Sequence, residues 1–369
     1  MHYSGSTATI ANVVSTVRKL RRIPPARCWL VPIAILVLFS TAHAAVFCVG
    51  DSAALKAALD TVQNNGQDNQ INVQRGTYLI GYTTSPINPH ALSILGGFDP
   101  NCTDMRRDAA DTLLLPDPTG NQIFNIFAGG NLHVANLRFH GFDGGAYTDS
   151  VLFIAANGAS TLLIENIIVD GCSNAETTAA LDVVAMNPAA TITLRNILVH
   201  DNTAPVALQL GGPFDFQGNP QPHGDIALSG VTAVNNGGIG ILIQPLANSS
   251  LALLSNSVSF GNSGADVVVQ HPPIRSEAND IGSVSPGQSA FTSTLQANDS
   301  VNPQLNSQFR PLPGSPLIDS GITINGITPD FDLRGCPRAQ GQTLDRGAVE
   351  SGNSCDTLFH NGFDNVGAF

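Results

Sequence analysis

The sequence predicts an all-β fold: a right-handed parallel β-helix with three short strands per coil and an N-terminal capping helix. Two observations predict it. Residues 131–262 contain self-similar units at spacings of 30, 30, 34 and 26 residues, and a period of this size is typical of solenoids. In addition, an asparagine or glycine recurs at one position of each unit, with apolar residues at fixed distances on both sides of it.

The recurring polar position is interpreted as a corner between two strands. It is occupied by Asn136, Asn166, Asn196, Gly230 and Asn256. Asparagine tolerates the left-handed backbone conformation better than other non-glycine residues, and glycine adopts it freely. Coils that stack about 4.8 Å apart would bring successive side-chain amides within bonding distance. We therefore predict a structural corner ladder of Asn136, Asn166, Asn196 and Asn256.

The apolar residues around this corner predict buried strands. The positions four and two residues before it, and one and three residues after it, are apolar in almost every unit, which is the period of a strand with one buried face. A third apolar run completes each unit: 151–155, 180–185, 206–210, 239–243 and 267–269. An antiparallel sandwich is the alternative, but it does not require self-similarity over 30 residues.

The last unit departs from the pattern. Ser257 and Ser259 stand where apolar residues are expected, and Val258 and Phe260 lie beside them. A shift of one residue exchanges the two faces of a strand. We therefore predict a phase slip here, with a bulge or an altered turn.

The N-terminal residues, 1–44, are typical of a secretory signal peptide. Basic residues precede an apolar run over 29–39, and small residues follow up to Ala44, after which we predict cleavage. The run is shorter than the roughly 20 residues that a transmembrane helix needs; an uncleaved anchor is the alternative. The chain is therefore predicted to be exported, either secreted or associated with the cell envelope, with no stable membrane span after cleavage.

We divide the mature chain into four parts. An N-terminal cap with the first coils covers 45–110, further coils cover 111–300, a C-terminal domain covers 301–350, and a short tail covers 351–369. In the cap, Asp51 precedes apolar residues at helical spacing: Leu55, Ala58, Leu59 and Val62. This pattern predicts a capped amphipathic helix, placed over the open end of the first coil, because solenoids need such a cover to stay soluble.

Charge and cysteine content narrow the class of protein. Removal of residues 1–44 leaves 11 basic and 28 acidic residues, a balance of 11 − 28 = −17. This charge repels polyanions, so we predict no nucleic-acid partner.

Export permits disulfides, and the odd number of remaining cysteines leaves one unpaired in a monomer. We predict the pairs Cys48–Cys102 and Cys336–Cys355, with Cys172 packed as a small hydrophobe.

The C-terminal stretch resembles a known domain. It contains GSPLIDSG at 314–321, DLRGCPR at 332–338 and DRGAVE at 345–350. This series is similar to the choice-of-anchor Q domain, which closes many exported β-helix proteins. The coils resemble, in pattern only, the pectate-lyase-like β-helix proteins of bacterial surfaces. The resemblance implies an extracellular or envelope location and brings no catalytic residues. We expect this domain to cover the second open end of the solenoid.

One group of polar residues could form a catalytic or metal-binding site. His140, Asp170 and His200 stand four residues after the corner in successive units, on the outward face. A carboxylate between two imidazoles could transfer protons or bind a divalent metal. A stack of polar residues on a solvated face is the alternative. Glu165 and Arg195 share another outward column and are interpreted as an ion pair between neighbouring strands.

Acidic residues near the C-terminus suggest calcium as a cofactor. Asp330 and Asp332, together with Asp345 and Glu350, offer oxygen ligands for this ion. Their spacing matches no established calcium loop. Backbone capping bonds and pairing with arginines are the alternative role of these carboxylates.

Two functions follow as hypotheses. The first is a non-enzymatic binding, adhesion or structural surface protein that contacts extracellular polysaccharide or surface components. The second is a glycan-active enzyme, a polysaccharide lyase or glycoside hydrolase, that uses the outward face of the coils. The sequence contains no adjacent aspartates, Gly-x-Ser-x-Gly elbow or His-Glu-x-x-His helix, which favours the first. The ligand and the oligomeric state are left open.

Overall fold

Parallel strand pairing organises the chain. The computed structural model describes residues 44–83, 90–119, 122–144, 150–156, 158–173, 179–185, 187, 189–211, 224–244, 252–270, 274–285, 298–338 and 340–352. The elements are β1 Ala45–Val49, α1 Ser52–Val62, β2 Asn69–Gln74, β3 Gly76–Ile80, β4 Tyr82–Thr83, β5 Leu92–Phe98, a 3₁₀ turn Ala109–Asp111, β6 Thr112–Pro116, β7 Phe124–Ala128, β8 Leu132–His140, β9 Leu152–Ala156, β10 Thr161–Asp170, β11 Ala179–Ala185, β12 Thr191–His200, β13 Val206–Gly211, β14 Ile226–Val234, β15 Ile239–Ile243, β16 Ala252–Ser255, β17 Val258–Phe260, β18 Val267–Val269, β19 Ile274–Glu277 and β20 Asp280–Ile281.

The strands form two sheets. A 13-stranded sheet, the long sheet, has the order β1-β2-β5-β8-β10-β12-β14-β16-β19, with β3, β6, β17 and β20 beside this path; a 7-stranded sheet, the short sheet, has the order β4-β7-β9-β11-β13-β15-β18. Within each sheet a strand pairs in parallel with the strand one coil later. This connectivity is that of a parallel β-helix and confirms the predicted fold class.

The corner asparagines bend the long sheet into two faces. Asn136, Asn166, Asn196 and Asn256 have φ values of 58, 54, 51 and 50°, and Gly230 has 67°. Asn166 Nδ2 donates to Asn136 Oδ1 at 3.0 Å, and Asn196 Nδ2 donates to Asn166 Oδ1 at 2.8 Å. The predicted ladder is therefore present over these three coils. With the short sheet, the two faces give three strand segments per coil.

A second ladder, which the sequence did not predict, lies six residues further along. Asn202 Nδ2 donates to Asn236 Oδ1 at 3.0 Å, and Asn236 Nδ2 donates to Asn262 Oδ1 at 2.8 Å. Asn202 and Asn236 are each about 1% exposed. Equivalent positions in the earlier coils are held by Phe142 and Cys172, so the polar column begins only partway along the solenoid.

The predicted phase slip is wrong. β14 pairs with β17 in unbroken register, Thr232 with Val258 and Ala233 with Ser259. Ser257 and Ser259 therefore keep the inward positions, where each is about 1% exposed. Buried hydroxyls need partners, and these two donate to nearby backbone carbonyls at 2.8 and 2.6 Å.

The N-terminal cap agrees with the sequence. Asp51 Oδ1 accepts a hydrogen bond from the Ala54 amide at 2.8 Å, which satisfies one of the free donors at the start of α1. The four predicted apolar residues of α1 are its buried residues, and they belong to the same core as β2 and β3. The helix therefore covers the interior at the first coil. Among the described residues, no helix is long and apolar enough to cross a membrane.

The cysteines follow the predicted pattern where the structure describes them. Cys48 and Cys102 form a disulfide, and Cys172 is buried and free. Cys336 is disulfide-bonded; Cys355, its predicted partner, lies outside the described residues. The predicted signal peptide also lies outside them, apart from Ala44.

The C-terminal domain does not simply close an end of the solenoid. Described residues of 301–352, the C-terminal segment, lie along the outer face of the long sheet. Leu333, Ala348 and Val349 form one apolar cluster with Ala109, Ile168 and Leu198, and Leu317 packs in another with Val234 and Val258. Val258 points outward, and this segment rather than solvent covers it. The outward apolar residues of the long sheet, Ile168, Leu198, Val234 and Val258, thus explain why the predicted phase slip and the predicted placement of the domain are wrong.

The segment docks into a gap in the corner ladder. Gly230 has no side chain, and the Arg338 guanidinium occupies the space where one would lie. Arg338 Nη2 donates to Asn196 Oδ1 at 2.6 Å and to the Gly347 carbonyl at 2.7 Å, and Nη1 donates to Glu350 Oε1 at 2.8 Å. Arg338 is 3% exposed. The arginine therefore replaces the missing corner amide as the donor to Asn196.

Substitution of Gly230 tests this docking. Alanine at a left-handed position costs about 1–2 kcal/mol in backbone strain, and at Gly230 its Cβ would also displace Arg338 from a buried ion pair, whose disruption typically costs about 3–5 kcal/mol. We expect G230A to lower the free energy of unfolding by at least ~2 kcal/mol more than G66A, measured by urea denaturation. Gly66 is the matched control, because it has the same φ of 67° with no atom within 4 Å of its Cβ position. Equal losses in the two variants would contradict the docking role.

Candidate functional site

The predicted polar column on the long sheet is in register. Asp170 pairs with His140 on one neighbouring strand and with His200 on the other. Val169 belongs to the core, so Asp170 points to the outer face. The structure therefore places the three residues in the predicted line across successive coils.

Only two of the three side chains bond to each other. His140 Nδ1 lies 2.6 Å from Asp170 Oδ2. His200 turns away: its Nδ1 lies 2.8 Å from Asp201 Oδ2, and its ring contacts Phe309 of the C-terminal segment at 4.2 Å between centroids. The structure therefore brings one imidazole, not two, into contact with the Asp170 carboxylate. A catalytic or metal-binding role for the three residues stays a prediction.

Asp170 has a stronger partner that the sequence did not suggest. Arg138 Nε and Nη2 both donate to its carboxylate at 2.8 Å, a bidentate geometry that strengthens the bond. Burial opposes ionisation, but the bonds from Arg138 and His140 outweigh it and hold the pKa of Asp170 below its ordinary value. The result is a fixed carboxylate that orients a half-exposed imidazole.

A neighbouring cluster confirms the predicted ion pair. Glu165 and Arg195 stand opposite each other, with Nη1 of Arg195 3.9 Å from Oε2 of Glu165. His133 Nε2 lies 3.0 Å from Oε1 of the same carboxylate. Burial is again outweighed, here by His133 and Arg195, and the pKa of Glu165 is lowered. Arg195 also donates to the Gly326 carbonyl at 2.5 Å, so this cluster helps to hold the C-terminal segment.

The predicted calcium ligands bond within the chain instead. Asp332 Oδ1 accepts from the amides of Arg334 and Cys336 at 2.9 and 2.8 Å, and its Oδ2 accepts from the Glu350 amide at 3.0 Å. Asp330 is exposed, on the surface of the segment. Within the described ranges, no group of three or more His, Cys, Asp and Glu side chains is arranged to bind a metal. Bonds from backbone amides therefore describe Asp332 and Asp345, and pairing with Arg338 describes Glu350.

The short sheet carries a polar site that the sequence interpretation missed. Asp182 lies between Leu181 and Val183, which both belong to the core, so its side chain points outward. It is nevertheless 4% exposed. Ser150 Oγ and Gln209 Nε2 donate to its Oδ2 at 3.0 and 3.3 Å.

Asp182 differs from Asp170 in its electrostatics. Burial raises the pKa of Asp182 to about 7, and the bonds from Ser150 and Gln209 counter this only in part. Its Oδ1 is buried and has no hydrogen-bond partner among the residues that the structure describes, and the same holds for Oδ1 of Asn125. A perturbed carboxyl with an unused acceptor is typical of functional sites more than of structural ion pairs.

A signal for this site was present in the sequence. The run over 180–185 predicts an apolar strand, although Asp182 interrupts it. A charged residue inside such a run either needs a partner or has a function. Asn125 and Gln209 lie in other coils, so only the register could show that they share a column with Asp182.

Two comparisons with known proteins found no match. No family model matches the sequence, and no curated protein matches it. The fold and the sites define the class: a parallel β-helix whose long sheet is covered on its outer face by the chain's own C-terminal segment, with a buried acidic site on the short sheet.

Replacement of Asp170 tests its structural role. D170A leaves Arg138 and His140 without their shared acceptor, and because both are partly exposed we expect a loss of about 2 kcal/mol, below the range for fully buried pairs. The folded-state pKa lies below the ordinary 3.8, so this stabilisation is present above about pH 4 and is lost as the pH falls through that pKa. Urea denaturation between pH 3 and 7 should show wild type and D170A converging at low pH. A difference that stays constant with pH would contradict this.

Replacement of Asp182 should have the opposite pH dependence. Its pKa rises from 3.8 to about 7 on folding, so the wild type loses stability as the pH rises through this window, by up to roughly 4 kcal/mol at 1.4 kcal/mol per pKa unit. Asp332 and Glu350 also have raised pKa values, about 6 and about 7, but they are common to both proteins. The stability of D182N relative to wild type should therefore grow from pH 4 to pH 8, whereas D330N should track wild type. No change with pH would contradict the raised pKa.

Proposed function

We propose that the protein is an exported β-helix binding protein of the bacterial envelope or exterior, which acts in adhesion or surface structure by contacting extracellular polysaccharide or other surface components. The observation that carries this proposal is the outward column of the short sheet, where Asp182 and Asn125 hold acceptor oxygens that have no partner in the described part of the chain. The paired strands fix the backbone positions of these two residues.

Export has support from the cysteines and from the sequence. The Cys48–Cys102 disulfide and the disulfide-bonded Cys336 indicate an oxidising setting. The signal-peptide pattern at 1–44 and the likeness of 314–350 to the choice-of-anchor Q domain favour the envelope or the exterior. The negative charge of the mature chain disfavours nucleic acid as a partner.

The outward polar residues of the two sheets differ in their partners, and this difference supports a binding role. On the long sheet, Asp170 and Glu165 are engaged by arginines and histidines of the chain itself. These groups stabilise the solenoid and its cover. On the short sheet, the stacked coils repeat outward positions about every 4.8 Å, which suits contact with an extended polymer at several points.

A glycan-active enzyme is the second candidate. Two observations favour it: burial raises the pKa of Asp182 to about 7, which suits a proton donor near neutral pH, and Asp170 orients the half-exposed His140. A lyase or hydrolase could use either group.

One assay separates the two functions. The mature chain is tested against xylan, cellulose, polygalacturonate and alginate, with and without calcium, by affinity electrophoresis for binding and by assays of reducing and unsaturated ends for turnover. We expect binding without new ends. Turnover that is lost in H140A or D182N, but kept in D330N, would establish the enzyme instead. If D170A leaves metal affinity and activity on every glycan unchanged, the His140–Asp170–His200 column has no catalytic role.

A further inference from the structure

We infer that the outer face of the short sheet binds an uncharged, hydroxyl-rich glycan segment at Asn125, Phe153 and Asp182. This inference rests on the proposed binding function and names the class of ligand for it. Each of the three residues lies between two core residues on its own strand, so all three point outward.

The three residues form one column across adjacent coils. Asn125 pairs with Phe153, and Phe153 pairs with Asp182; Gln209 follows on the next strand. Neighbouring strands lie about 4.8 Å apart, so Asn125 and Asp182 are separated by about 9–10 Å along the solenoid. The column therefore presents an acceptor, an aromatic ring and a second acceptor in order.

The acceptors need donors. Asn125 and Asp182 are 3 and 4% exposed, and Oδ1 of each has no partner within the described ranges. A buried polar atom without a hydrogen bond typically costs about 1–3 kcal/mol. Oδ2 of Asp182 already accepts from Ser150 and Gln209, so the unmet demand is confined to the two Oδ1 atoms. A ligand with hydroxyl groups would meet it.

The electrostatics favour an uncharged ligand. Burial and the bonds from Ser150 and Gln209 are the influences on the pKa of Asp182, and no cation of the described chain is among them. A uronate carboxylate would bring a negative charge and further acceptors to a site whose unmet groups are themselves acceptors. A sugar hydroxyl both donates and accepts, so it can bond to Asp182 in either protonation state.

The ring of Phe153 supplies the apolar part of the site. It is half-buried and contacts Phe127 at 5.1 Å between centroids, which fixes its position between the two acceptors. The C–H face of a pyranose ring can pack against such a surface while its hydroxyls reach the oxygens on either side. Because the two Oδ1 atoms are closed to solvent, binding includes an opening step, and association should be slower than for a preformed cleft.

Calorimetry with defined oligosaccharides tests the inference. The mature chain is titrated with xylohexaose and cellohexaose as neutral probes and with an oligogalacturonide as the acidic probe. We expect a neutral probe to bind, the acidic probe not to bind, and N125L and D182L each to weaken neutral binding at least tenfold. D330N is the matched control for loss of a carboxylate and should bind like wild type. If a leucine variant fails to fold, as judged by circular dichroism, N125A or D182A takes its place with the same expectation.

The outcomes separate this inference from the proposed function. Neutral binding that N125L and D182L leave unchanged would overturn the site and leave the binding function standing. Preference for the oligogalacturonide would overturn the class of ligand. If neither these probes nor the polysaccharides bind, both proposals fall.

Discussion

The left-handed corner, with its stacked amides, is the constraint on which the rest of the structure depends. Each corner asparagine holds a backbone conformation that most residues avoid, and the amides of Asn166 and Asn196 each bond to the asparagine one coil earlier. This pairing fixes the register, and the register places residues from distant parts of the chain in common columns. The absence of a side chain at Gly230 belongs to the same system, because it admits Arg338 and with it the C-terminal segment.

Much of the fold could be predicted because it depends on the local periodicity of the sequence. The corner column, the inward apolar positions, α1 with its Asp51 cap and the Cys48–Cys102 pair all follow from spacing or from export. What failed depended on distant segments. Val258 resembled a slipped inward residue because a segment far along the sequence covers it. The His200 side chain turns away from Asp170 toward Asp201 and toward Phe309 of that segment. A role for Asp182 could not be predicted, because a single charge in an apolar run indicates a site only when its neighbours on the adjacent coils are known.

Asp170 and Asp182 show how the same side chain acquires different chemistry on one scaffold. Both are almost fully buried on outer faces. A bidentate arginine lowers the pKa of the first, whereas the second has only neutral donors and its pKa rises to about 7. The difference follows from what stands one coil away: Arg138 beside Asp170 on the long sheet, and a serine and a glutamine around Asp182 on the short sheet. Electrostatic character therefore varies from face to face while the backbone repeats.

The crosslink between Cys48 and Cys102 gains significance from the one-dimensional nature of a solenoid. Interior coils are held from both sides, whereas a terminal coil has a single neighbour and is the first to fray. The bond closes a loop with a sequence separation of 54 residues, which in the chain-entropy account contributes about 4 kcal/mol. Reduction of this disulfide would loosen the N-terminal coil and α1 well before the central coils. Proteases would therefore cleave the N-terminal end of the solenoid first.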